Sequence, residues 1–272
     1  MPLFRPACLP LVLLLCGCAT GPDRNRADPL EPLNRATFRF NDALDRTIAQ
    51  PVARGYNRAV PRFVRTGVNN FFSNLGDVVV MANDFLQLRV GDGLNDLMRI
   101  GVNSTFGLLG VLDIATPAGL QKHDQDFGLT LGHYGVPSGP YLVLPLFGPS
   151  SFRDGVGFGV DQFANPTSYA DPALRNSLWG VNFVSTRARY LNATNLLEEA
   201  ALDKYLFVRD AYLGRRNSQV EAGKDGGNAA APPDYGSGTG GTAGGAAGGT
   251  AGGAVGGAVE GTTAPPPAGQ TR

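Results

Sequence analysis

Residues 28–49 read DPLEPLNRATFRFNDALDRTIA, and this stretch decides the fold class. Leu33, Phe40, Leu44 and Ile48 recur at helical spacing, while Arg35, Asp42 and Arg46 fall on other faces. Asp28-Pro29 ahead of them offers a cap and a helix-start proline. Asn34 and Asn41 stand seven apart, so they share a face of that helix.

The same grammar continues downstream. Pro51 and Pro61 set off a short segment, residues 52–59, from a helix near 62–75, and further helices are predicted at 77–88 and 92–106. The last of these has Leu94, Leu97, Met98 and Val102 on one side. Leu178, Val181, Ala188 and Leu191 make one later stripe; Leu197, Ala201, Tyr205, Val208 and Tyr212 make another, with Arg215 and Arg216 expected in its last turn. Strand character is confined to residues 140–147 (PYLVLPLF), and Pro145 interrupts it. The expectation is a mostly α domain over residues 29–221.

Two features are unusual for a soluble bundle. Nine asparagines fall between residues 34 and 103 although asparagine is a poor helix former. They serve either as polar stripes lining a wet cavity or as caps and turn formers. Residues 101–159 hold 12 glycines in 59 positions, interleaved with apolar runs. Such a segment suits either a bilayer interface or a loop-rich core edge.

The two ends of the chain have their own chemistry. Residues 1–17 combine Arg5, an apolar stretch from Leu9 to Leu15 and a small-residue exit, as a lipoprotein signal peptide does. The stretch is too short to span a bilayer. Leu15-Cys16-Gly17-Cys18 resembles the bacterial lipobox, which makes Cys18 the expected lipid anchor and residues 18–28 a polar tether. Cys18 would be the mature chain's sole cysteine, so an internal disulfide is excluded. Residues 222–272 carry 17 of the 38 glycines and are expected to be disordered.

Little else in the chain points to chemistry. Charges balance at 23 basic and 23 acidic residues with no basic run, which argues against nucleic-acid binding. His123 and His133 lack a helical ligand spacing, so no metal is expected. Gly135-Val-Pro-Ser138-Gly139 is not a nucleophile elbow, and no catalytic residue or cofactor is expected.

An ordered series of motifs is more specific. It runs through Asp28-Pro-Leu-Glu31-Pro-Leu-Asn34-Arg35, Asn69-Asn70-Phe71, Asn83-Asp84-Phe85-Leu86-Gln87, Asp126-Phe127-Gly128, Thr130-Leu131-Gly132, Gly139-Pro140-Tyr141, Gly148-Pro149 and Arg153-Asp154-Gly155. Over residues 28–213 this order resembles the VacJ/MlaA outer-membrane lipoproteins of Gram-negative bacteria. The resemblance implies a helical ring in the periplasmic leaflet of the outer membrane, with an amphipathic central channel. Misplaced outer-leaflet phospholipids would pass through it to a soluble periplasmic carrier, and trimeric porins would be partners. Ala19 after the cysteine, where aspartate would resemble an inner-membrane retention signal, agrees with an outer-membrane destination.

On that reading Phe40, Asn41, Asn69, Asn70, Asn74 and Asn103 line the channel. Pro140, Tyr141, Pro145, Gly148 and Pro149 belong to an interfacial or gating loop, and Arg187, Arg189 and Arg209 meet head groups or the carrier. The alternatives are a structural, porin-docking lipoprotein without transport activity and a lipid-modifying enzyme.

Overall fold

A computed structural model describes residues 28–194 and 201–224. The export segment, Cys18 with its tether up to residue 27, Leu197 and everything beyond Lys224 lie outside the described residues.

The first helix, α1 (Glu31–Leu44), starts on Pro32 and Glu31, the residue types that suit a first turn. It does not stop before Pro51. A π-helical stretch, Asp45–Ala49, leads directly into α2 (Gln50–Ala59). The wider i→i+5 pattern accommodates the donor that Pro51 lacks, so the proline marks a change of pitch and not a break. Helix α3 (Arg62–Leu86) is one 25-residue element where two had been expected, because nothing packs against Gly76 to interrupt it. A tight turn through Leu88 (φ 61°) joins it to α4 (Val90–Thr105), its most extensive partner.

After an irregular passage comes α5 (Phe127–His133), capped by Asp126, whose carboxylate accepts from the Leu129 N–H at 2.8 Å. Strands β1 (Tyr141–Leu144) and β2 (Gly148–Ser151) pair antiparallel, with Tyr141 opposite Ser151 and Leu144 opposite Gly148. A hairpin therefore stands where none was expected. Pro145 sits in its three-residue turn, and Leu146 and Gly148 take left-handed backbone angles to close it. Ser151 then caps α6 (Phe152–Ala164) by accepting from the Asp154 N–H at 3.1 Å. A 3₁₀ turn (Pro166–Tyr169), α7 (Pro172–Arg189) and α8 (Lys204–Lys224) complete the fold. Arg215 and Arg216 lie well inside α8, which continues for two more turns.

The mostly α expectation holds, but the packing is inverted relative to a soluble bundle. Among the described residues only nine apolar side chains are buried, four of them alanines, against 21 polar or charged ones. Leu33, Phe40 and Ile48 of the α1 stripe are exposed, as are Leu94, Leu97 and Met98 of α4. Phe63, Leu88, Phe106 and Phe163 are each at least 75% exposed. An apolar exterior on this scale is what contact with lipid requires, and water would not tolerate it. No described helix is long and apolar enough to cross a membrane.

The asparagines hold the interior together. Asn34 on α1 donates to the Tyr141 carbonyl and accepts from the Val143 N–H, both at 2.9 Å. Asn41 repeats this with the Leu144 carbonyl and the Leu146 N–H, again at 2.9 Å. Seven residues of helix advance about 10.5 Å, and three residues of strand advance about 10 Å, so two side chains on one helix face grip the same strand. Asn103 accepts from the N–H groups of Ile114 (2.8 Å) and Ala115 (2.9 Å), while Asn70 donates to the Val111 carbonyl at 3.1 Å. Asn57 and Asn95 brace the Ala188 and Gln121 carbonyls in the same way.

Asn103→Ala strips the acceptor from two backbone donors at a buried position. We expect it to lower unfolding stability by about 1–3 kcal/mol, measured by denaturant titration in detergent, with Asn95→Ala, at an exposed contact, changing it much less.

Candidate functional site

Three adjoining open cavities lie along the helices. The first, about 870 Å³, lies between α3, the segment around Leu112 and α7. Phe63, Phe71, Phe72, Leu112, Ile114 and Val181 make its walls almost wholly apolar. It shares Phe72 and Leu178 with a second cavity of about 490 Å³. Here Leu75, Phe158 and Trp179 face Gln162, Asn165, Ser168, Asn176 and Asn182, and Arg175 is the only charged lining residue. Phe147 and Phe158 are common to the second cavity and a third of about 260 Å³, lined by Asp126, Asp154, Asp161, Tyr212 and Arg216. The lining thus grades from hydrocarbon through amide to charge. Volumes of this order suit molecules of small-ligand size and larger.

The hairpin supplies one wall between compartments. Its turn residue Phe147 packs against Phe158 of α6, with ring centroids 4.9 Å apart. The stem behind it is the strand gripped by Asn34 and Asn41.

The charged end is built around Arg216 of α8. Its guanidinium meets Asp126 at 2.6 and 2.8 Å and Asp154 at 2.8 and 3.1 Å. Tyr212 donates to Asp154 at 2.6 Å. Burial alone would raise the Asp154 carboxyl, but the hydrogen bonds and charge of Arg216 bring it down to about 2. Asp161 goes the other way: burial raises it, only partly offset by the Phe127 N–H and Asn83. A Cβ on Gly128 would lie 2.5 Å from Asp154 Oδ1, and one on Gly157 only 2.4 Å from the Gly128 nitrogen. Both glycines are needed for α5 and α6 to cross this closely over the ion cluster.

Of the residues singled out from sequence, Asn70 lines the first cavity and Pro149 the third. Phe40, Asn41, Asn69, Asn74 and Asn103 are not in the lining of any of the three cavities. Phe40 is exposed on the outer apolar face. Asn69 accepts from Ser185 at 2.5 Å, and Asn74, buried, donates to Ser104 at 3.0 Å. Pro140 and Pro145 are exposed, Tyr141 is fully buried, and Gly148 opens β2. Arg187 is held by both oxygens of Asp45, at 2.5 and 2.8 Å. Arg209 is buried against Asp210 (2.8 Å), with Asp28 at 3.6 Å, and Arg189 lies over the Tyr190 ring. The sequence reading missed Arg175, Trp179 and Asn182. Their i, i+4, i+7 spacing on α7 is the signal that marks one helix face.

Comparison with known proteins gives a consistent picture. A family model described as MlaA lipoprotein matches residues 26–219. The chain is 38% identical over 217 residues to the intermembrane phospholipid transport system lipoprotein MlaA of Escherichia coli (strain K12), covering 78% of this chain and 86% of that one. A protein of the same description from Haemophilus influenzae is 32% identical over 226 residues, covering 78% and 88%. A solved structure reported under "Structural basis for maintenance of bacterial outer membrane lipid asymmetry" superposes with a TM-score of 0.65 at 37% identity, covering 72% of this chain and all of that chain.

Because the folded Asp154 carboxyl titrates at about 2, below the ordinary value of about 3.9, the unfolded chain binds more protons between these values. The stabilisation that Asp154 provides is therefore complete above about pH 4–5 and lost as pH falls toward 2. Asp154→Asn should flatten that part of the stability–pH curve. Arg216→Met, which strands two carboxylates, should cost about 3–5 kcal/mol at neutral pH.

Proposed function

The chain belongs to the MlaA lipoprotein family, and from that premise we propose that its graded cavities form the passage through which it moves phospholipid. Its relatives are named as lipoproteins of an intermembrane phospholipid transport system. The chain is accordingly a phospholipid-transport lipoprotein of the outer membrane, acting in the maintenance of that membrane's lipid asymmetry.

The observation that carries the proposal is the gradient in lining. A phospholipid needs apolar room for its acyl chains and polar groups for its phosphate, and the first two cavities offer these side by side. Arg175 supplies a cation for the phosphate, with amides of Gln162, Asn165 and Asn182 around it. The exposed apolar side chains seat the helices in one leaflet, surrounding the passage. In this reading Asn34, Asn41 and Asn103 act on the passage by bracing its walls, Asn70 borders it directly, and Arg175 takes the head-group role first given to Arg187, Arg189 and Arg209. Residues 140–149 act as the gate through Phe147, whose contact with Phe158 divides the second cavity from the third.

The direction proposed is retrograde: lipid misplaced in the outer leaflet enters, crosses and is handed to a soluble periplasmic carrier. Leaving an unfavourable leaflet is downhill, so no nucleotide is needed at this step. Acylation of Cys18 is the proposed anchor. At about 0.8 kcal/mol per buried methylene, two or three acyl chains hold durably where one does not. The exposed apolar faces also offer trimeric porins a lateral contact within the bilayer.

Trp179 is the single tryptophan of the chain and lines the second cavity. In detergent, phospholipid with brominated acyl chains should quench its fluorescence saturably. Transfer of intact labelled phospholipid from liposomes carrying the protein to a periplasmic carrier should fall about tenfold in Arg175→Glu, about 1.4 kcal/mol, with the circular dichroism unchanged. Absence of both quenching and transfer would leave a purely structural lipoprotein, and release of free fatty acid would mean an enzyme.

A further inference from the structure

Away from the cavities, three side chains from separate segments converge behind the α3–α4 turn. They are Asp84 of α3, Asp96 of α4 and His123 of the passage before α5, each with one ligand atom within 4.8 Å of the other two. All three are buried, with Asp84 and Asp96 at 0% exposure. His123 Nδ1 lies 3.0 Å from both Asp96 oxygens. Neither Asp84 oxygen receives a hydrogen bond from any protein donor, although both are inaccessible to solvent. Arg89 forms a 3.9 Å ion pair with Asp84 while also engaging Asp92 at 2.6 Å.

Two buried carboxylates side by side, with only the 3.9 Å approach of Arg89 to offset their charge, are unfavourable unless they share a proton or a cation lies between them. We propose that Asp84, Asp96 and His123 form a structural site for a first-row transition-metal dication, with Zn²⁺ the best fit. Two carboxylates and a neutral imidazole cancel the charge of such an ion. Zinc–ligand bonds of about 2.0–2.2 Å in tetrahedral geometry place ligand atoms about 3.4 Å apart, so from a spread of at most 4.8 Å the trio needs to close by up to about 1.5 Å. A calcium or magnesium ion would want six or more oxygens, which this pocket does not hold. On the far side of the ring His123 Nε2 lies 3.6 Å from Asp92, a carboxylate that could take the Nε2 proton after a small shift while Nδ1 faces Asp96. The bound ion would staple the end of α3 to α4 and to the segment leading into α5.

The test uses the untagged full chain in detergent, stripped with chelator and titrated with ZnCl₂, CaCl₂ or MgCl₂ by calorimetry, with bound metal counted by mass spectrometry. One Zn²⁺ per chain is expected at micromolar affinity or tighter, raising the melting temperature by several degrees. Asp92→Asn should weaken binding about 10–100-fold, and His123→Ala should abolish it while His133→Ala leaves it intact. Failure to bind stoichiometric Zn²⁺ would overturn the proposal, as would equal binding by His123→Ala or a preference for Ca²⁺ or Mg²⁺. It would also fall if Asp84→Asn stabilised the chelator-treated protein and Zn²⁺ gave the wild type no gain, since a shared proton would then satisfy the pair. None of these readouts depends on lipid transfer.

Discussion

A carboxamide presents one donor edge and one acceptor edge, and this single property organises the interior. At several places where a helix of this protein holds a strand or an irregular segment, an asparagine takes backbone hydrogen bonds that a neighbouring strand would otherwise have provided. Asn34 and Asn41 do so for β1, and Asn103 does so for the Ile114–Ala115 backbone. The interaction carries no net charge, so it can be repeated without the desolvation cost that buried ions impose. Removing the amide edges would leave the hairpin and the 107–116 segment held only by packing of Tyr141, Val143 and Phe147 and by Arg99 at Thr116 and Asp113.

That choice has a consequence for the outside. With the polar faces turned inward, the apolar faces of α1, α3 and α4 turn outward, and among the described residues many more large apolar side chains are exposed than buried. Leu88, Leu108 and Leu109 show how far this goes, since all three adopt left-handed backbone angles that ordinarily favour glycine. Glycine would relieve the strain of about 1–2 kcal/mol per residue. Leucine puts an exposed apolar side chain at the same place, a sensible exchange only where the surroundings are lipid.

Helix content and the seven-residue spacing of Asn34 and Asn41 were legible in the sequence, because periodicity survives whichever way a helix faces. What the periodicity does not encode is the partner. Asn41 as a strand clamp depends on Leu144 and Leu146, over a hundred residues away. Strand β2 (GPSS) has no alternating apolar pattern, since its register is set by β1 and its end by the Ser151 cap. Helix α3 runs on through Gly76 because glycine breaks a helix only where tertiary contacts exploit it, and the space beside Gly76 is open. The grouping of His123 with Asp84 and Asp96 is not visible in the local sequence, because the three come from separate elements.

The inverted interior also bears on how a passage can exist at all. A protein that buried its apolar faces would close around a packed core, and any lipid path would have to displace close-packed side chains. Here the apolar contacts are left to the bilayer, so opening space between α3, α6 and α7 sacrifices little core. Rigidity has to come from elsewhere, and it comes from directional polar contacts: the asparagine clamps, the Asp126–Arg216–Asp154 cluster and the Arg187–Asp45 pair. Each holds a wall at its edge and leaves the middle empty. Phe147 fits the same logic. It stands at the tip of a hairpin held by Asn34 and Asn41 at four backbone groups, the last of them the Leu146 N–H in the turn itself, so its ring is set against Phe158 from a fixed backbone.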